Sequence, residues 1–277
     1  MIFRFIAEAL QQRFVPGRHQ LPGLIIPGAM KSGTTSIFEY LRGHPQLLPS
    51  HKKEIHYFDL NFRRGVKWYA RQFPQCVGKT IGFESSPYYL FDPRVPARVR
   101  ELLPNVKLLI LLRDPVERAF SHYQNNRRLG REPLSFEDAI AAEPERLCGE
   151  EERLLSDPHA VSLVHRQYSY LGRGIYHQQL TRWRTYFPAE QMLVIDAGRF
   201  FANPLAVVSE VIAFLGLDPW VPLSLVPWNE GGYRNTIKPE TRSRLERYFE
   251  PHEMLLAELI GWCPSASRRI SVESGGS

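Results

Sequence analysis

Residues 24–36, Leu-Ile-Ile-Pro-Gly-Ala-Met-Lys-Ser-Gly-Thr-Thr-Ser, constrain the fold of this chain more than any other stretch. A short apolar run gives way to a glycine-bounded turn, then a lysine, then hydroxyl residues that open a helix. A helix N-terminus offers unpaired N–H groups and the positive end of its dipole, which together form a site for an anion. Lys31 adds a point charge, and Gly33 lets the backbone approach a phosphate closely. The loop of the nucleoside triphosphatases needs Gly, four residues, then Gly-Lys-Ser/Thr. Here the lysine stands two places before the second glycine, as Gly28-Ala-Met-Lys31-Ser-Gly33-Thr34-Thr35.

Downstream, the pattern predicts strands at about Gly23–Ile26, Ile81–Ser86, Val106–Leu112 and Gln191–Ile195. Helices are expected after the loop, where Ile37, Tyr40 and Leu41 fall at helical spacing, and near 97–103, 175–186, 203–215 and 239–260. Asp114-Pro115-Val116-Glu117 starts another helix, with Asp114 as cap, Pro115 in the first position and Glu117 completing a capping box. Strands alternating with helices predict one α/β domain, a central parallel sheet flanked by helices, over residues 21–262. Ligands of such sheets bind beyond the carboxyl ends of the strands, where Lys31, Ser85 and Arg113 all fall. Residues 1–20 are expected to hold an N-terminal helix packed on the core, with a membrane-surface helix as the alternative. The acidic stretch 143–158 reads as a mobile surface segment and 263–277 as a disordered tail.

Composition narrows the class. No apolar run among the 277 residues is long enough to cross a bilayer, and the start lacks a convincing signal-peptide cleavage site. Three scattered cysteines, Cys76, Cys148 and Cys263, give neither a disulfide framework nor metal-ligand spacing, which fits a reducing cytoplasm. A net charge of +6 suits an anionic ligand, but the basic residues are dispersed and no nucleic-acid motif stands among them.

Two blocks carry a family resemblance. Lys31-Ser-Gly-Thr-Thr after a strand resembles the 5′-phosphosulfate loop of sulfotransferases that use 3′-phosphoadenosine 5′-phosphosulfate (PAPS). Lys107-Leu-Leu-Ile-Leu-Leu-Arg113-Asp-Pro-Val-Glu-Arg118-Ala-Phe-Ser121-His-Tyr123 is similar to that family's 3′-phosphate strand and helix. A third stretch, Lys53-Glu54-Ile-His56-Tyr-Phe-Asp59, resembles the catalytic segment of the heparan sulfate 3-O-sulfotransferases. The resemblance implies the P-loop-kinase-like sulfotransferase fold, PAPS as co-substrate, no metal, and a hydroxylated acceptor such as a glycan, glycolipid or natural product. It implies that Lys31 stabilises the leaving phosphate while Ser32, Gly33, Thr34, Thr35 and Ser36 supply donors to it. Arg113 and Ser121 match the 3′-phosphate ligands, a guanidinium fork and a hydroxyl two helical turns on. Glu54 is implied as general base, with His56 and Asp59 orienting it or the acceptor; an extended segment would put Glu54 and His56 on one face.

Departures from the heparan enzymes are equally legible. Glu84 is followed by Ser85 where they carry a lysine, and their Gly-Lys-Ser-Lys-Gly-Arg stretch is absent. Only Gly232-Tyr233-Arg234-Asn235 stands nearby, which leaves Arg234 as a cofactor candidate. Ser169-Tyr170-Leu-Gly172-Arg173-Gly174-Ile-Tyr176 matches a broader bacterial sulfotransferase pattern; Tyr170 and Tyr176 read as core before contact. Two other classes compete: a P-loop kinase, which would need a lysine after the second glycine and an Mg²⁺ carboxylate, and a non-catalytic nucleotide-binding or membrane-surface module on the same fold.

Overall fold

A computed structural model describes residues 21–75, 78–222 and 236–264. The helix expected in residues 1–20, Arg234 and the tail from residue 265 lie outside them. Five strands form one parallel sheet: β1 (Leu24–Gly28), β2 (Leu47–Pro49), β3 (Ile81–Ser85), β4 (Lys107–Leu112) and β5 (Met192–Asp196), in the order β2-β3-β1-β4-β5. Both faces are covered, so the central strands are near-continuous apolar runs, as in Leu108-Leu-Ile-Leu-Leu112.

Alternation sends successive side chains to two cores. Ile25, Leu108, Ile110 and Leu112 join one, with Val95 and Val99 of α3 (Val95–Leu102) and Leu180 and Trp183 of α9 (Tyr176–Arg184). Leu24, Ile26, Leu109 and Leu111 join the other, under α1 (Thr34–Leu41) and α11 (Pro204–Leu215). A satellite core gathers around α4 (Pro115–Arg128), where Val116 and Ala119 meet Phe136 of α5 (Phe136–Ala141) and Phe249 of α12 (Pro239–Ile260). Short helices α2 (Gly65–Ala70), α6 (Glu143–Leu147), α7 (Glu150–Ser156), α8 (Leu163–Gln167) and α10 (Ala197–Ala202), with 3-10 turns at Phe62–Arg64, Gly172–Gly174 and Ala189–Gln191, complete the described elements.

Strand order positions the site. The chain leaves β1 toward β2 on one side and leaves β4 toward β5 on the other, so the connections diverge between β1 and β4. A crevice at such a switch point is where open α/β sheets bind ligands. Pro27 has no N–H to give the ladder, and β1 slips by one residue against β4 between Ile25–Leu108 and Gly28–Ile110. The bulge ends β1 at the loop of residues 28–33, whose Ala29 N–H still donates to Leu111 O at 2.8 Å.

Two expectations are corrected. The acidic stretch 143–158 is helical, as α6 and α7, rather than an unstructured surface segment. Glu143 is buried and accepts the N–H groups of Leu171 and Gly172 at 2.7 and 2.8 Å, so the stretch is tied down. Residues 53–59 are not an extended run: Glu54 and His56 have φ of 62° and 54°.

Candidate functional site

The site is built from the ends of β1, β3 and β4. After β1, Lys31 has φ 72° and Gly33, the cap of α1, has φ 91°. No side chain caps α1, so its first turn presents backbone N–H groups outward. Glycine at 33 serves twice, because a Cβ there would also meet Phe201 at 3.0 Å. The Ser32 side chain is buried with no hydrogen-bond partner for its Oγ among the described residues, and its N–H donates to Ala29 O at 3.2 Å.

After β4, Asp114 caps α4 by accepting the Glu117 N–H at 2.9 Å, and Pro115 holds the first position, as its sequence predicts. Arg113 is thereby aimed across the crevice, where its Nη1 donates to Lys31 O at 3.3 Å. Glu117 Oε2 lies 3.7 Å from Arg113, and the Tyr176 hydroxyl donates to Arg113 O at 2.8 Å. Ser121 is buried on α4. Tyr170 and Tyr176 are both core residues, as expected.

Beside β3 lies a chain of ionisable groups. His56 Nδ1 donates to Asp59 Oδ2 at 2.7 Å, and His56 Nε2 lies 3.3 Å from Glu54 Oε2. Lys53 Nζ meets the other Glu54 oxygen at 3.1 Å. The Glu54 side chain remains 44% exposed, facing outward, while Asp59 is sealed beneath. Crowding opposes the charge on Glu54, but the hydrogen bond from His56 and the charges of Lys53 and His56 outweigh it and hold the carboxyl at about 2. Burial likewise works against a charged His56, yet the hydrogen bonds to Asp59 and Glu54 raise it to about 9.

Arg166 of α8 is a group that sequence reasoning missed. Its Nη2 lies 3.1 Å from His56 Nε2, the atom that also faces Glu54. One nitrogen cannot serve both: neutral His56 accepts from Arg166, whereas imidazolium donates to Glu54 and repels Arg166. Two carboxylates against one guanidinium favour the imidazolium. A lone arginine in a polar stretch carries no pattern to find it by. Arg173 supports this wall from behind, donating to Arg166 O and, at 2.9 Å, to Met30 Sδ of the loop after β1.

The His56 shift makes a stability prediction. A group raised in the folded state contributes fully below its ordinary value of 6.5, and the contribution is lost as pH rises through about 9. The melting temperature of the parent should therefore fall toward that of His56→Gln between pH 6.5 and 9. Parallel melting profiles across that window would show His56 to be neutral in the fold.

Comparison with known proteins agrees with this geometry. The family described as the sulfotransferase domain matches residues 21–222. Mouse heparan sulfate glucosamine 3-O-sulfotransferase 5 is 28% identical over 269 residues, covering 87% of this chain and 73% of that protein. Human heparan sulfate glucosamine 3-O-sulfotransferase 6 is 32% identical over 204 residues, covering 73% and 54%. A sulfotransferase from Alicyclobacillus acidocaldarius superimposes with a TM-score of 0.75 at 32% identity, over 90% of this chain and 99% of that one. With a glycine-bounded loop after β1 facing an arginine from β4, and with these relatives over most of its length, the chain belongs to the sulfotransferase family.

Proposed function

We propose that the chain is a PAPS-dependent O-sulfotransferase acting on a hydroxyl of a glycan, glycolipid or hydroxylated natural product. The observation that carries this reading is the pairing of two anion-binding strand ends, Lys31 and Arg113, joined at 3.3 Å across the switch point. The residues fit a nucleotide bearing phosphates at both ends: an uncapped helix N-terminus and a lysine at one, a guanidinium and Ser121 at the other. When bound, PAPS supplies an activated sulfuryl group and a bisphosphate leaving group.

The protein's part is positioning and charge stabilisation. Lys31, with the backbone of Gly33, Thr34, Thr35 and Ser36, offsets charge growing on the leaving phosphate. Arg113 and Ser121 grip the far phosphate and set the register. Glu54 takes the acceptor proton; Asp59 fixes the His56 ring, and His56 orients Glu54. A cavity of about 350 Å³ opens beside Lys53, lined by Phe38, Glu39, Arg42, Ser50 and His51. The relatives named for heparan sulfate support a glycan among the acceptor classes. Among the described residues no helix is long and apolar enough to cross a membrane.

Incubation with PAPS labelled in its sulfur and a panel of glycans and alcohols tests the reading: label should move to an acceptor oxygen. Label that stays on nucleotide across the panel, with ATP and Mg²⁺ supporting transfer instead, would replace this reading by a kinase. Arg113→Ala should weaken binding of adenosine 3′,5′-bisphosphate by about 1.5–3 kcal/mol, the scale of a charge-assisted hydrogen bond. Calorimetry should also show that AMP binds the parent more weakly than the bisphosphate. Equal binding of the two would remove Arg113 from the 3′-phosphate.

A further inference from the structure

Glu84, the penultimate residue of β3, is a fully buried carboxyl with three hydroxyls around it. Tyr69 donates to Oε1 at 2.5 Å, Ser86 to Oε2 at 2.8 Å and Tyr89 to Oε1 at 3.3 Å. Two of these hydroxyls face the segment that carries Glu54 and His56. Ser86 Oγ accepts the His56 N–H at 3.1 Å, and the Tyr89 hydroxyl accepts the N–H groups of Tyr57 and Phe58 at 2.6 and 3.3 Å. Three consecutive backbone donors thus end, through two hydroxyls, on one carboxyl group.

The direction of two of the three bonds to Glu84 is fixed. A hydroxyl has one proton. Ser86 and Tyr89 use their lone pairs on backbone N–H groups, so their protons point to Glu84, which must accept. Burial favours the neutral acid and raises Glu84 to about 7, while the Tyr69 and Ser86 hydrogen bonds pull the other way. An amide in the same place would turn an N–H₂ group toward a hydroxyl already committed to donating.

The held segment needs such support. Left-handed φ at both Glu54 and His56 is a strained backbone for residues that carry a Cβ, and such conformations persist where the surroundings over-determine them. Glu54 N–H is fixed by Ser85 O at 3.0 Å, and the N–H groups of His56, Tyr57 and Phe58 are fixed by Ser86 and Tyr89 of the Glu84 network.

We propose that Glu84 is a positioning residue for sulfuryl transfer, acting through Ser86 and Tyr89 to hold the His56 backbone so that its ring meets Glu54. The proposal rests on the reading of Glu54 and His56 as the acceptor-activating pair. It extends that reading to a residue that touches neither nucleotide nor acceptor.

The test measures turnover, nucleotide affinity and the His56 titration in Glu84→Gln, Ser86→Ala and Glu54→Gln, with the Glu54→Gln/Ser86→Ala double variant. Turnover should fall about 10²-fold in Glu84→Gln, the cost of a misplacement near 1 Å, with affinity for adenosine 3′,5′-bisphosphate within about threefold of the parent. Ser86→Ala removes one arm and leaves the carboxyl buried, so it decides the matter should Glu84→Gln not fold; it should lower turnover about tenfold and shift the His56 titration followed by NMR. In the Glu54→Gln background Ser86→Ala should cost nothing further, because the pair it aligns is already broken. Losses that multiply in the double variant, or turnover and nucleotide affinity falling together, would make the network a plain structural support and overturn the proposal. Full turnover in Glu84→Gln or Ser86→Ala while Glu54→Gln is inactive would overturn it and leave Glu54 as base. Full turnover in Glu54→Gln would instead overturn the reading beneath it.

Discussion

Glu54→Gln should lower transfer about 10²–10⁴-fold while nucleotide binding and folding are preserved. The carboxyl is ionised across the whole working range because Lys53 and His56 hold it at about 2. The same partners make it a weak base at rest. That suits a proton taken late, since an alcohol becomes acidic only as its oxygen bonds to sulfur. Glutamine fills the same space and can hold a hydroxyl, but accepts no proton. His56→Ala should cost less, because histidine here orients the carboxylate rather than taking the proton. Turnover near normal in Glu54→Gln, together with an inactive His56→Ala, would transfer the role of base to histidine. Full activity in both would send the search for the acceptor-activating group elsewhere.

Lys31→Ala should cut turnover by about 10²–10³, the scale of removing one donor to developing charge, with a smaller effect on nucleotide affinity. On the proposed reading the lysine counts most when the bond to sulfur lengthens and charge gathers on the phosphate behind it. Single-turnover kinetics separates the two effects from binding. A change confined to apparent affinity would leave Lys31 as a binding residue only. Because Lys31 has φ 72°, Lys31→Gly relieves backbone strain that Lys31→Ala keeps. The glycine variant should therefore be the more stable of the two by about 1 kcal/mol, with turnover equally low.

Why some of this was legible from sequence and some was not follows from the range of each interaction. The Asp114-Pro115 helix start, the apolar run of β4 and the loop at Lys31 depend on neighbours within a few positions, and the structure has all three where the sequence predicts them. β2 has three residues, too few for any periodic pattern. The helices at 143–156 read as solvated acid because nothing local shows that Glu143 will accept two N–H groups from residues 171 and 172. Left-handed geometry at Glu54 and His56 is equally silent, since neither residue type favours it and the support comes from Ser85, Ser86 and Tyr89. Arg166 reaches His56 across 110 positions, a pairing that only the closed fold makes.

The family match ends at residue 222, but the molecule's interdependence does not. Arg242, in the first turns of α12, meets Glu117 at 2.7 Å, and Glu117 in turn faces Arg113, whose other end rests on the carbonyl of Lys31. Phe249 of the same helix fills the space against Gly174 and Pro115, where a Cβ on the glycine would sit 2.7 Å from the ring. Early, middle and late parts of the polypeptide are thus strung on one line of charges. A shortened chain drawn at the family boundary would free Glu117 to clamp Arg113 alone. On the proposed reading, in which Arg113 grips a phosphate, a truncation that removes Arg242 and Phe249 would be felt as altered affinity more than a hundred positions upstream in the chain.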